Sequence, residues 1–178
     1  MTASPRWMPI RHVLSIGVLP GVVAILVPSW IARADHVGLH LATGNALLVQ
    51  GLGAVLLLGG AALFAVTLVL FVVEGRGTLA PWDPPPHLVV RGPYRHVRNP
   101  MISGVVFVLF GEAALLLSPS HLAWALVFLA LNLVYIPLLE ERGLRRRFGA
   151  GYDAYRRNVP PIIPRLTPWR GAPSPPHQ

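Results

Sequence analysis

Four apolar runs divide the chain, Val13–Ile31, Ala46–Val73, Met101–Leu117 and Leu122–Leu139, with arginine-bearing segments around them. A helix of about 20 residues, within a range of about 17–25, crosses the hydrocarbon core of a bilayer. The first, third and fourth runs each predict one spanning helix. The second predicts a longer helix that tilts or extends beyond the bilayer. Pro20, Pro28, Gly59 and Gly60 fall inside these runs, where membrane helices tolerate them as kinks or close-packing points.

The polar segments are informative too. Gly75–Asn99 is the longest non-apolar connection; Gly75, Gly77, Pro81 and Pro84-Pro85-Pro86 argue against a regular helix at its start. Leu88-Val89-Val90 is a short apolar return and Gly92-Pro93 a turn. Asn99-Pro100 predicts a helix start, with Asn at the N-cap and Pro at the first helical position. Beyond the fourth run, Leu144, Phe148, Tyr152, Tyr155 and Val159 recur every three or four residues, one face of a helix. Arg145, Arg146, Arg147, Arg156 and Arg157 lie off that stripe, the pattern of a helix resting on a membrane surface. Gly149 and Gly151 allow two shorter helices in its place, Pro160-Pro161 ends the segment, and residues 171–178 are expected to be a disordered tail. The expected fold is all-α: a polytopic membrane helix bundle of about four transmembrane helices with a C-terminal amphipathic cytoplasmic segment, one domain over residues 1–170.

Composition agrees with the pattern. Of 178 residues, 53% are hydrophobic and 12% charged, with a mean hydropathy of +0.56, whereas soluble domains carry about 25% charged residues. All 15 basic residues are arginine, and the formal net charge is +8. With four spans, 14 arginines fall on one side and Arg33 alone on the other. The positive-inside rule makes the rich side cytoplasmic, which gives a multi-pass cell-membrane protein with both termini in the cytoplasm. This placement assigns most of the arginines to topology and lipid headgroups, and no nucleic-acid partner is expected. Arg6, Arg11, the first run and Ala32-Arg33-Ala34 also resemble a secretory signal peptide with its cleavage site. The run exceeds the usual signal core of about 7–15 residues, and cleavage would leave three spans in the same orientation. There is no cysteine, which excludes disulfides, thiolate metal sites and a thiol nucleophile. No metal site is expected.

Candidate chemistry concentrates in Arg91-Gly-Pro-Tyr-Arg-His-Val-Arg-Asn-Pro100. A helix start carries unpaired N–H groups and a positive dipole end, suited to a carboxylate or phosphate. Arg95 and Arg98 add charge there, and Tyr94 and His96 add an aromatic face and a donor or acceptor. The competing reading is that the arginines only anchor the helix to headgroups. Glu140 and Glu141 close the fourth run on the same side; at a helix C-terminus acidic residues are unfavourable. Glu141 is within helical reach of Arg145, whereas Glu140 faces Leu144 at that spacing. An anion-binding helix start beside two carboxylates suits a zwitterion such as S-adenosylmethionine, and no Gly-rich strand–helix turn supports a Rossmann site. Glu112 and Asn132 lie inside the third and fourth runs. At about 18 Å from Asn99, Glu112 is expected to bond between helices, and Thr67 and Asn132 to pair across them.

The order Gly92-Pro-Tyr-Arg-His-Val-Arg-Asn-Pro-Met101, Glu140-Glu141, Phe148-Gly-x-x-Tyr152-x-x-Tyr155 and Val159-Pro160 resembles the isoprenylcysteine carboxyl methyltransferase family and the related phospholipid N-methyltransferases. The resemblance covers roughly residues 75–165. It implies an integral-membrane, S-adenosylmethionine-dependent methyltransferase with a lipophilic or lipid-modified acceptor and a cytoplasmic cofactor pocket. The implied pocket comprises Tyr94, His96, Arg98, Asn99, Pro100, Met101, Glu140 and Glu141, with Arg98 and Glu140 as catalytic candidates. Three positions depart from the family pattern: Asn99 where His often stands, Ile102 where Tyr often stands, and Pro161 where Arg is expected, with Arg165 the nearest substitute. Transfer from a sulfonium depends mainly on positioning and water exclusion; the acceptor, carboxylate or amine, stays open. Two rivals are an NADPH-dependent membrane reductase, since sterol reductases resemble this family in fold, and a non-enzymatic lipid-binding protein.

Overall fold

The computed structural model describes residues 20–74, with backbone only for 71–74, and residues 90–171. The signal-peptide question for the N-terminal arginines, the proline-rich part of the loop, and the tail from 172 onward lie outside the described residues. Every regular element among the described residues is helical. We number them α1 (Val22–Ala34), α2 (Asn45–Glu74), α3 (Pro100–Leu116), α4 (Pro119–Tyr135) and α5 (Glu141–Asn158), with a 3-10 turn at Gly92–Arg95. Two helical stretches are long and apolar enough to cross a membrane, Asn45–Leu70 and the continuous Pro119–Asn158; α1 and α3 are shorter apolar helices.

The closest helix pairing is α2 against α3, and glycine makes it possible. Gly53 and Gly60 on α2 meet Gly111 and Gly104 on α3, each pair seven residues apart on its helix. A Cβ on Gly111 would stand 2.5 Å from Leu57 N and 2.8 Å from Gly53 O, and one on Gly60 would stand 2.6 Å from Gly104 O. Such backbone approach is the usual basis of membrane-helix association, where the hydrophobic effect gives no drive between helices.

Leu117 in the left-handed region and Ser118 turn α3 into α4. Ser118 Oγ accepts from His121 N, and Pro119 takes the first helical position, where no N–H is needed. Both wide π turns lie beside proline: Val22–Leu26 just ahead of Pro28, and Ile136–Glu140 around Pro137. Proline removes one i→i−4 bond, and the wider turn accommodates its ring. Trp124 Nε1 donates to Val23 O at 3.0 Å and His121 Nε2 lies 3.2 Å from Pro28 O, so α4 fastens α1 at this irregular turn.

Several polar expectations are corrected. Thr67 and Asn132 do not pair; each donates to its own helix, Thr67 Oγ1 to Leu63 O and Asn132 Nδ2 to Phe128 O. Glu112 Oε2 is buried without a hydrogen-bond partner, so that oxygen makes no interhelical bond among the described residues. The fourth run does not end at Glu140-Glu141. The π turn leads straight into α5, so Glu141 lies inside a continuous helical stretch and not at a helix C-terminus.

Within α5, Gly149 has φ 51° and ψ −131°, a conformation outside the helical region. Of the two forms the sequence allowed, the broken one is observed. The stripe still works, since Leu144 and Phe148 pack against buried Tyr152, Tyr155 and Val159. It does so with the second half of the helix folded back on the first.

Candidate functional site

The Arg91–Pro100 segment is extended at Arg91, turns at Gly92 with φ 50°, and closes one 3-10 turn before α3 begins at Pro100. The helix start falls where Asn99-Pro100 predicts it, but the Asn99 side chain makes no cap bond. Its Nδ2 donates instead to Pro161 O at 3.3 Å. The chain beyond α5 runs back along this segment in a chain of backbone bonds: Arg98 N to Pro160 O (2.8 Å), Asn99 N to Pro161 O (3.2 Å), Arg165 N to His96 O (2.9 Å) and Trp169 N to Arg95 O (2.9 Å). Side chains reinforce it. Arg95 Nε donates to Trp169 O at 2.7 Å, and His96 Nδ1 lies 2.8 Å from Arg165 O. A carbonyl can only accept, so His96 carries its proton on Nδ1 in this bond. Arg95 and His96 thus fasten residues 160–169 to the motif. Arg165 turns its guanidinium to Asn158 O, 2.7 Å away, at the end of α5.

Arg98 has a different environment. Its side chain is 9% exposed and that of Glu141 4%, and their Nη1 and Oε1 atoms are 2.7 Å apart. Arg156 Nε approaches Glu141 Oε2 at 2.6 Å. These are charge contacts without hydrogen-bond alignment: Arg98 Nε and Nη1 and Glu141 Oε2 are buried with no aligned partner. The local i to i+4 pairing of Glu141 with Arg145 does not occur; Arg145 Nε binds Asp153 Oδ1 at 2.9 Å instead. The bend at Gly149 explains both outcomes. In a straight helix the eight residues from Arg145 to Asp153 span about 12 Å and the fifteen from Glu141 to Arg156 about 22 Å. Both contacts require the second half of α5 to double back.

Glu140, Tyr94 and Tyr152 complete the cluster. Burial, then the neighbouring Glu141, raise the Glu140 carboxyl above the usual carboxylate range, against the opposing pull of Arg98. Burial and the Glu140 charge raise Tyr94. Tyr152 is pushed up to about 12, chiefly by burial and then by Glu141. Tyr155 OH donates to Tyr94 O at 2.7 Å and its ring stands 5.6 Å from that of Trp169, so the wall of the cluster is fixed from two directions.

Of the residues singled out from sequence, Tyr94, Arg98, Glu140 and Glu141 come together. His96 and Asn99 face the 160–169 segment through the bonds above. Pro100 is buried at the first position of α3 and Met101 half-buried beside it. Ile102 packs against the Val106, Ile136 and Ile162 cluster, an apolar site with no call for a hydroxyl. Arg156, Tyr152 and the Gly149 bend are contributions not assigned to the site from sequence; the signals were Tyr152 in the motif and the glycine interrupting an otherwise regular stripe. Two clefts open here. One of about 500 Å³ lies between Leu63 of α2, Pro93, Val97 and Pro168, with Arg95 and His96 on its wall. The other, of about 460 Å³, is lined by Arg98, Arg145, Asp153, Arg156 and Arg157.

The chain is therefore an all-helical integral membrane protein with a buried cluster of both charges at the end of its long apolar helices. It belongs to the phospholipid methyltransferase family, which matches over residues 52–151, more than half of its length. That match includes the motif, Glu140 and Glu141. Methanethiol S-methyltransferase 2 of Bradyrhizobium diazoefficiens is 40% identical over 73 residues, covering 41% of this chain and 27% of the relative. The chain thus spans about a quarter of the curated relative it matches. No solved structure matches the chain.

Proposed function

We propose that this protein is an S-adenosylmethionine-dependent methyltransferase of four membrane spans, acting on a lipophilic acceptor at the cytoplasmic face. The observation that carries the reading is the Arg98–Glu141 pair. It is a nearly fully buried arginine with unaligned donors, near the half-buried carboxyl of Glu140. A buried cation with unspent donors and a half-buried carboxyl suit a ligand that carries a carboxylate, an ammonium and hydroxyls together. The residues present fit S-adenosylmethionine, with Arg98 at its carboxylate and Glu140 at its ammonium or hydroxyls.

When bound, that cofactor supplies a methyl group activated by a sulfonium. The chain's own contribution is positioning and desolvation. Glu141, held between Arg98 and Arg156, fixes the Arg98 guanidinium in place. The apolar cleft beside Leu63 and Val97 gives a lipophilic acceptor a route from α2 to the motif. A carboxylate acceptor releases no proton and needs only a cation to orient it. An amine does release one, as does a thiol of the kind the Bradyrhizobium relative's name specifies. Glu140, with its raised proton affinity, is the group suited to receive it.

Calorimetry on the purified full chain tests the reading. Micromolar S-adenosylmethionine binding is expected, weakened at least tenfold by Arg98→Ala and by Glu140→Ala in correctly inserted protein. Binding of NADPH in its place would move the protein to the reductase class, and binding of neither to the lipid-binding class. Transfer of a labelled methyl group into a membrane extract, followed by product identification, then names the acceptor.

A further inference from the structure

The cleft at the bend of α5 shares Arg98 with the proposed cofactor site and Arg156 with its support, whereas Arg145, Arg157 and Asp153 have no role in the reaction above. Four arginines and one aspartate line it: Arg98, Arg145, Arg156, Arg157 and Asp153. Asp153 is committed to Arg145, and Glu141, behind the lining, to Arg98 and Arg156. Arg157 is exposed and has no ion pair among the described residues. Arg98, at the floor, is assigned above to the cofactor, which leaves Arg145, Arg156 and Arg157 to face a second ligand. Cationic charge thus exceeds anionic charge in a concave site of about 460 Å³. The concavity comes from the backbone of Gly149, which brings guanidinium groups from both halves of the helix to one place.

Its position restricts the ligand. Leu138 and Leu139, 45% and 63% exposed, are the last apolar residues of the run that precedes α5. Arg145 follows Leu139 by six residues, about 9 Å along a helix, a depth comparable with the headgroup layer that adds about 5–8 Å to each side of the hydrocarbon core. Ile163 and Leu166, also exposed, extend the apolar surface on the segment beyond α5. Arginine forks match phosphate oxygens in geometry as well as charge.

We propose that this cleft is a lipid-headgroup site, binding the phosphate of an anionic phospholipid whose acyl chains lie along the exposed apolar surface of the preceding helix. The test is native mass spectrometry of the detergent-solubilised full chain, with equal concentrations of phosphatidic acid, phosphatidylglycerol and phosphatidylcholine and no cofactor added. The two anionic lipids should be retained in preference to phosphatidylcholine. Arg145→Gln combined with Arg157→Gln should weaken that retention about 30-fold, which is about 2 kcal/mol at 1.4 kcal/mol per tenfold. Arg142→Gln with Arg146→Gln removes the same charge from α5 outside the cleft, and should retain anionic lipid nearly as the parent does. An equal loss in both double variants, or no preference in the parent, overturns the proposal. Inorganic phosphate competing fully at matched concentration overturns the lipid source in favour of a soluble phosphate. Displacement by S-adenosylmethionine assigns the cleft to the cofactor, whereas failure of cofactor binding with lipid retention intact removes only the methyltransferase reading.

Discussion

Replacing Gly149 with alanine separates the bend from everything else in α5. No atom lies within 4 Å of a Cβ built there, so the substitution costs nothing sterically. The backbone carries the whole effect. At φ 51° and ψ −131° an L-residue sits in a sparsely populated region, at a cost on the order of 1–3 kcal/mol. Alanine also favours a regular helix by about 1 kcal/mol over glycine, so the balance moves toward a straight α5 by about 2–4 kcal/mol. Straightening would withdraw Arg156 from Glu141 and Arg145 from Asp153, contacts of 2.6 and 2.9 Å in the bent form. The buried Tyr152, Tyr155 and Val159 cluster opposes this. Either response lowers stability or binding: a bent variant melts lower, and a straightened one loses the second partner of Glu141. In detergent, a strain of about 2 kcal/mol corresponds to a fall of roughly 4–8 °C in Tm for a chain of this size, and S-adenosylmethionine affinity should fall with it. Gly151→Ala is the matched control, two residues on, helical, and equally open around its Cβ. It should be neutral or slightly stabilising. If both variants behave alike in melting and binding, the bend does not hold the cluster together.

Three further outcomes follow from the same geometry. Glu141→Met should destabilise by about 3–5 kcal/mol, because it strands the buried Arg98 charge, and Arg98→Met by less, because Glu141 keeps Arg156. The double variant should cost less than Glu141→Met alone, and additive thermal shifts would contradict a coupled pair. Glu140, with its raised pKa, holds its proton to a higher pH than a free carboxyl, so binding of an ammonium-bearing cofactor should tighten as pH climbs through that raised pKa. The stability term has the opposite sign, being fully present below the ordinary carboxylate pKa and lost as pH rises through the raised one; Glu140→Gln should flatten both profiles, and an unchanged slope would assign them to another group. Gly111→Ala should destabilise the α2–α3 pair by about 1–3 kcal/mol through overpacking, while Gly59→Ala, with open space around its Cβ, should leave the melting temperature unchanged.

The sequence alone determined the helical character, the apolar runs and the chemistry-bearing segments, because these depend on local quantities. An apolar stretch of membrane length must satisfy its own backbone, and only a helix does so. Asn99-Pro100 marks a helix start because proline needs no N–H donor there. The family motif likewise placed Tyr94, Arg98, Glu140 and Glu141 on a common list without any knowledge of the fold. Partner choice was another matter. Glu141 has Arg145 one turn away, yet it binds Arg98 and Arg156, since one glycine takes a conformation that other residues adopt only with strain and turns the helix back on itself. His96 and Asn99, expected at the cofactor pocket, and Arg95 beside them hold the 160–169 segment, whose carbonyls arrive from more than sixty residues away in the chain. Periodicity records which face of a helix is apolar; it does not record where that face is bent. Only the tertiary structure decided which charges are buried together, because that depends on a single backbone torsion and on a strand of chain that carries no periodic signal.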